Sequence, residues 1–227
     1  HWAPLNSKGE PCVVFLHGNS SARLEGLNQL SVCLGFGLTL FAFDCAGSGR
    51  SEGDYVSLGF WEKDDLKCVV DHLRRNGVKK IGVWGRSMGA VTALLHQARE
   101  ASPRNPLWGE APPPIKHTTN AMVLDSPFAD FCQLAEELVA KGRERGVVVP
   151  TVVTRLALSM LGTSVQSQAG FDIRDLSAIR EVPRCRLPAL FVCAKMDDFI
   201  GALAASRRVE SRHQLVSIAR GRGWFLF

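Results

Sequence analysis

Ile81-Gly82-Val83-Trp84-Gly85-Arg86-Ser87-Met88-Gly89 is a short apolar run that breaks into a G-x-S-x-G pentapeptide. Met88 to Glu100 continues with helix-like composition. Strand, sharp turn and helix, in that order, is the context in which this pentapeptide marks a nucleophile. Small residues flank the serine because the turn is strained and the helix packs close to the strand. Such a turn lifts the Ser87 hydroxyl above the sheet edge, where a substrate carbonyl can meet it. Outside that context the same five residues would read as an ordinary turn.

Outward from this stretch, apolar runs recur with the spacing of strands in a parallel sheet. They are Val13 to Leu16, Leu38 to Phe43, Ile81 to Trp84, Ala121 to Leu124, Ala189 to Cys193 and Leu215 to Ile218. None alternates in and out, as expected for strands covered on both faces. Helical patterns lie between them. In Trp61 to Asn76 the apolar residues Leu66, Val69, Val70 and Leu73 follow a helical period. Glu62, Asp64 and Asp65 open that segment, and Arg74 and Arg75 close it before Gly77, which suits the helix dipole and a glycine C-cap. Alternating strand and helix predicts an α/β fold with a doubly wound, mostly parallel sheet in a single domain over 1–227. Two segments interrupt the alternation. Residues 102–118 carry five prolines and read as an inserted surface loop. Residues 128–182 hold helical pieces without a strand, which could form a small cap over the site or extra core-packing helices. Val147 to Leu161 is apolar enough for either a cap lining or a buried helix.

Composition limits the function classes. The 227 residues suffice for one α/β domain with a real core, and 46% of them are hydrophobic. Val147 to Leu161, the longest apolar stretch, contains Pro150 and Arg155 and is too short to span a bilayer, so no transmembrane segment is expected. The net charge of +5 arises in residues 174–227, with ten Lys and Arg against five Asp and Glu. Those arginines are scattered, without interleaved aromatic residues for base stacking, and no nucleic-acid partner is expected. The seven cysteines lack a C-x-x-C pair, and most lie in apolar runs. They read as free thiols in a reducing, cytoplasmic setting, with neither disulfides nor a metal site.

An acyl-transfer serine needs donors for the oxyanion, a base, and an acid to orient the base. His17-Gly18-Asn19 closes the first strand and suits a turn with a backbone N–H aimed at the site. The candidate oxyanion donors are the N–H groups of Asn19 and Met88, with His17 shaping the turn. Asp44 to Gly53 forms a glycine-rich loop at the same sheet edge. Its third glycine comes one position late for a G-x-G-x-x-G nucleotide cradle, which rejects a nucleotide cofactor. Asp125, followed by Ser126-Pro127, reads as a structural turn. Asp197 follows the strand Ala189 to Cys193, where the acid of a Ser…Asp…His order belongs, and Asp198 is the second choice.

Five words carry a family resemblance. They are Phe15-Leu16-His17-Gly18-Asn19-Ser20-Ser21, Ser48-Gly49-Arg50-Ser51-Glu52-Gly53, Trp84-Gly85-Arg86-Ser87-Met88-Gly89-Ala90, Leu124-Asp125-Ser126-Pro127-Phe128 and Asp197-Asp198-Phe199-Ile200. In that order the chain resembles the α/β-hydrolase superfamily, and more narrowly the serine aminopeptidase-like hydrolases of plants and protists. The resemblance implies an esterase, thioesterase or acyl-peptide type of activity on a small-molecule or acyl substrate, with no metal or organic cofactor.

Two departures from the family pattern stand out. Such folds have strands before the one equivalent to Val13 to Leu16, and these N-terminal strands are expected to be missing. The family's histidine lies in a Gly-x-His turn after the last strand, whereas here Ala219-Arg220-Gly221-Arg222 follows Ile218. Arg222 falls near the expected histidine, and a guanidinium cannot accept the serine proton. His213 and His117 precede strands and so belong to the opposite sheet edge, roughly 16 Å away for His213. His96 lies roughly 12 Å along its helix from Met88, and His72 is late in another helix. The alternative expectation is therefore a non-catalytic relative that binds an acyl ligand or a partner in the same pocket.

Overall fold

A computed structural model describes residues 10–101, 118–144, 150–194 and 214–218. The strands are β1 (Cys12–Leu16), β2 (Thr39–Ala42), β3 (Ile81–Arg86), β4 (Ala121–Asp125), β5 (Ala189–Ala194) and β6 (Gln214–Ile218). The helices are α1 (Leu27–Gly35), α2 (Glu62–Arg75), α3 (Met88–Ala101), α4 (Phe131–Glu144), α5 (Thr151–Ala169) and α6 (Ala178–Glu181), with short 3₁₀ turns at Arg23–Gly26, Ile173–Asp175 and Val182–Arg184. All six strands pair in parallel, in the order β2-β1-β3-β4-β5-β6.

That order locates the site before any side chain is considered. The connection from β1 runs to one side, to β2, and the connection from β3 runs to the other, to β4. Right-handed crossovers that set off in opposite directions put their helices on opposite faces. A crevice therefore opens between the carboxyl ends of β1 and β3, the switch point where open α/β sheets bind ligands. Leu16 pairs with Gly85 at that end, so the His17–Asn19 turn and Ser87 emerge side by side.

The central strands and α3 form the core. Val14, Leu16, Ile81, Val83, Leu124 and Phe191 are buried, and so is every residue of α3 from Met88 to Ala98. A helix apolar nearly all round is one that is covered all round, and α3 packs against β1, β3, β4, α2 and α6. In α2 the stripe Leu66, Val70 and Leu73 faces this core. Each such leucine, fully buried, contributes about 1.5–3 kcal/mol. The helix ends as its sequence indicates. Gly77 has φ +89°, its N–H donates to the Arg74 carbonyl at 3.1 Å, and Val78 N–H donates to the Leu73 carbonyl at 3.0 Å. Both bonds of a Schellman cap are present.

Two expectations need correction. The residues of β2 are all only partly buried, not covered on both faces, because β2 is one edge strand of the described sheet. Of the two readings left open for the apolar stretch that begins α5, the buried helix does not hold. Val152, Val153, Leu156 and Met160 are 51–77% exposed, while Thr154 is buried. The helices α4 and α5 pack on each other and on the 3₁₀ turn Ile173–Asp175. Stacking of Phe60 on Phe171, with ring centroids 4.4 Å apart, ties this region to the start of α2. So does the bond from Trp61 Nε1 to the Ala169 carbonyl at 2.9 Å. No helix among the described residues is long and apolar enough to cross a membrane. The inserted loop lies outside the described residues except at Thr118.

Candidate active site

Ser87 occupies the turn between β3 and α3 with φ +50°, the left-handed region that L residues adopt only under strain. The flanking glycines explain how the turn closes. A Cβ on Gly85 would stand 2.5 Å from Ala90 N and nearer still to the Gly89 carbonyl. A Cβ on Gly89 would stand 2.7 Å from Leu16 Cβ and closer to the Leu16 carbonyl oxygen. Both positions therefore exclude any side chain, and β1, β3 and α3 meet at the serine. The Ser87 N–H donates to the Asp125 carbonyl at 2.7 Å, which fixes the turn to β4. Met88 opens α3; the Ala90 and Val91 N–H groups donate to the Ser87 carbonyl at 3.0 and 3.1 Å, which leaves the Met88 and Gly89 N–H groups without a partner within the helix. They and the helix dipole present partial positive charge beside Ser87.

Opposite the elbow, the turn after β1 is held at several atoms. His17 is fully buried; its Nε2 accepts from Cys45 N–H at 3.1 Å, and its Nδ1 donates to the Gly18 carbonyl at 2.8 Å. Ser21 N–H reaches the same carbonyl at 3.3 Å. In a trans peptide the N–H points away from the carbonyl. Anchoring the Gly18 oxygen thus sets the direction of the Asn19 N–H. Asn19 itself is exposed, and its side-chain oxygen accepts from Ser20 N–H at 2.9 Å, at a residue with φ +58°. With both ring nitrogens engaged, His17 orders the loop and has no nitrogen left to take a proton from Ser87.

The glycine-rich segment after β2 is organised around Asp44, a role its sequence did not reveal. This buried carboxylate accepts the N–H groups of Arg23 at 2.6 Å and Arg50 at 3.0 Å and pairs with the Arg23 guanidinium. Burial pushes its pKa up, but the hydrogen bonds from Arg23 and Arg50 and the Arg23 charge outweigh it, and the carboxyl titrates below its ordinary range. A Cβ on Gly49 would stand 2.6 Å from Asp44 Oδ1, so contact with Asp44 requires a glycine at that position, while Gly47 is confined by the Tyr55 carbonyl and Gly53 by Gly47 N. Asp65 accepts the Ala46 N–H at 2.8 Å. Burial raises the Cys45 thiol far above its usual value, which makes it inert.

Asp125 ends β4 opposite Arg86. It is buried, and its carboxylate accepts from Ser126 Oγ at 3.1 Å, while Ser126 holds φ +50° and bonds the Val192 carbonyl at 2.8 Å. Asp197 and Asp198 lie outside the described residues, as do His1, His117, His213 and Arg222. His96 is buried against Glu100 at 3.3 Å, and His72 sits in the last turn of α2. Among the described residues no cluster of three or more potential ligands could hold a metal. Cys12, Cys33, Cys45, Cys68, Cys132 and Cys185 are free thiols.

No protein-family model matches the chain. An uncharacterised Bacillus subtilis protein, YqkD, is 29% identical over 215 residues; the match takes in 93% of this chain and 63% of that protein. The chain thus spans less than two thirds of this relative's length. Among solved structures, the Pyrococcus furiosus esterase Pf2001 superposes with a TM-score of 0.64 at 21% identity, over 92% of this chain and 73% of that one. The ferulic acid-bound Est1E of Butyrivibrio proteoclasticus gives 0.64 at 18%, over 94% and 81%. A Paleococcus ferrophilus monoacylglycerol lipase gives 0.60 at 15%, over 93% and 86%. The chain has the α/β-hydrolase fold.

Proposed function

We propose that this chain is a serine hydrolase that acts through Ser87 on an acyl ester, thioester or acyl-peptide type of substrate. The observation that carries the reading is the strained elbow. A serine at φ +50°, between glycines with no room for a side chain, sits at the switch-point crevice. Strain of that kind costs of order 1–3 kcal/mol and persists at functional sites because the surroundings enforce it. In the reaction the Ser87 hydroxyl gives its proton to a base as its oxygen adds to the substrate carbonyl, and the Asn19 and Met88 N–H groups receive the oxyanion. Collapse of the tetrahedral intermediate breaks the acyl bond and expels the alcohol, thiol or amine, which takes up that proton. Asp197, with Asp198 as second choice, orients the base. The esterase and lipase names of the structural neighbours agree with ester chemistry. The five sequence words support a place near the serine aminopeptidase-like hydrolases, and the free thiols suit a reducing cytoplasm. The helices α4 and α5 would form the cap over the acyl group.

A fluorophosphonate probe tests this directly. Wild-type protein should label at Ser87, and Ser87→Ala should not, while still unfolding cooperatively. Equal labelling of the mutant would remove Ser87 as nucleophile.

A second reading, a non-catalytic relative, is favoured by the histidines. Among the described residues His17 is saturated, His96 is buried against Glu100, and His72 lies at the far end of α2. Without a base, a serine protease loses about 10⁶-fold, although oxyanion donors alone retain roughly 10³- to 10⁴-fold over water. Weak labelling with negligible ester turnover would mark this case.

A further inference from the structure

We infer that Glu25, held by Arg86, is a positioning residue that fixes the oxyanion loop against the nucleophile elbow; this rests on the serine-hydrolase reading above. Glu25 lies in the 3₁₀ turn after β1, and its side chain is only 10% exposed. One carboxylate oxygen accepts the Gly18 N–H at 3.0 Å, and the other pairs with the Arg86 guanidinium. Arg86 is the last residue of β3 and adjoins Ser87. Its guanidinium packs against Gly18, where a Cβ would stand 3.0 Å from Nη2. A single carboxylate therefore joins the residue before the nucleophile to the residue before Asn19.

The remaining atoms of that loop are already committed. The Gly18 carbonyl is taken by His17 and Ser21, so Glu25 supplies the constraint still needed on the Gly18 N–H. With both ends of Gly18 tied, the Asn19 peptide can neither rotate nor slide toward the elbow. Arg23, two residues earlier, does not compete for Glu25, because its guanidinium goes to Asp44. Charge-assisted bonds of this type are roughly twice as strong as neutral ones and hold geometry accordingly. The requirement is severe. An oxyanion donor must lie about 2.7–3.1 Å from the developing charge, and a 1 Å displacement costs about 10²-fold in rate. The Arg86 side chain is 34% exposed, but Glu25 is only 10% exposed and holds the Gly18 N–H, so losing Glu25 also costs stability. Slower labelling at nearly constant KM, with faster exchange confined to the loop after β1, is what separates positioning from a merely structural salt bridge.

The test compares Glu25→Ala, Glu25→Gln, Arg86→Met and the double variant Glu25→Gln/Arg86→Met with wild type. The readouts are the rate of fluorophosphonate labelling, kcat and KM for p-nitrophenyl butyrate, and amide hydrogen exchange over 15–26. Glu25→Ala should label about 10- to 100-fold more slowly with KM within about twofold, and the Gly18 amide should exchange at least about tenfold faster. Glu25→Gln keeps an acceptor for Gly18 and should lose less. The double variant should be no slower than either of its parents, since all three lack the same ion pair. Unchanged labelling in Glu25→Ala, or losses that simply add in the double variant, would overturn the inference. A wild-type chain that never labels strikes the hydrolase reading alone. Hydrogen exchange then decides the clamp by itself: unchanged exchange at Gly18 in Glu25→Ala overturns it, and faster exchange upholds it.

Discussion

Gly85→Ala is the most searching perturbation of the elbow, because it adds one methyl group and removes nothing. That methyl would stand 2.5 Å from Ala90 N, 0.9 Å short of the 3.4 Å at which ordinary contact begins. The Gly89 carbonyl is nearer still. Every obstructing atom is backbone of the first turn of α3, so no side-chain rotation can relieve the clash. The helix start must move away from β3 by about 0.9 Å or more. Gly89 in turn lies against Leu16 of β1, so the movement cannot be absorbed locally. Overpacking of this kind costs about 1–3 kcal/mol. A displacement near 1 Å of Ser87 relative to the proposed oxyanion donors costs about 10²-fold in rate. Both numbers are measurable, the first by urea denaturation and the second by the rate of fluorophosphonate labelling. Gly77→Ala is the control. A Cβ there meets nothing within 4 Å, though φ is +89°. It should lose about 1–2 kcal/mol from backbone strain alone and label at the wild-type rate. If Gly85→Ala matched wild type in both assays, or if Gly77→Ala slowed labelling as much, the close-packed elbow would not be what presents Ser87.

Three further outcomes follow from the same geometry. Ser87→Gly and Ser87→Ala should both be unreactive, but the glycine variant should be about 1 kcal/mol the more stable, since glycine tolerates φ +50° without strain; the opposite order in thermal unfolding would contradict the strain. Asp44→Ala leaves the Arg23 and Arg50 N–H groups without their acceptor and should destabilise by about 1–3 kcal/mol at neutral pH. Because the folded pKa of Asp44 is depressed, its stabilisation is full above the unfolded value of about 3.9 and is lost as pH falls through the folded one, so the gap between wild type and mutant should close in acid; a gap independent of pH would refute the assignment. Lys63 is buried over the Phe60 ring at 3.9 Å, and burial lowers its pKa from 10.5 to about 8. Between those values the unfolded chain holds the extra proton, so stability should rise with pH from 8 toward 10.5 in wild type and not in Lys63→Met, which pH-dependent denaturation can check.

The sequence by itself determined the order and kind of the elements, because that information is local. Apolar runs without alternation mark parallel strands, although not which of them lies at a partly exposed edge, the Leu66–Leu73 stripe marks the buried face of α2, and Gly77 marks its end. The elbow was legible for the same reason, since strand, glycine, serine, glycine and helix are contiguous. The loop after β1 was legible as a turn near the site. Tertiary structure alone decided what holds these parts together. Glu25 and Arg86 lie far apart in the chain, and they meet because β1 and β3 are neighbours in the sheet. Asp44 looked like one residue of a glycine-rich loop, yet it joins Arg23 and Arg50 from two different turns. Exposure of the apolar residues that begin α5 could not be read either, because periodicity states which residues share a face and not what that face meets. Hydrophobic pattern and turn chemistry are encoded within a few residues, whereas the partners of a charge are chosen by topology.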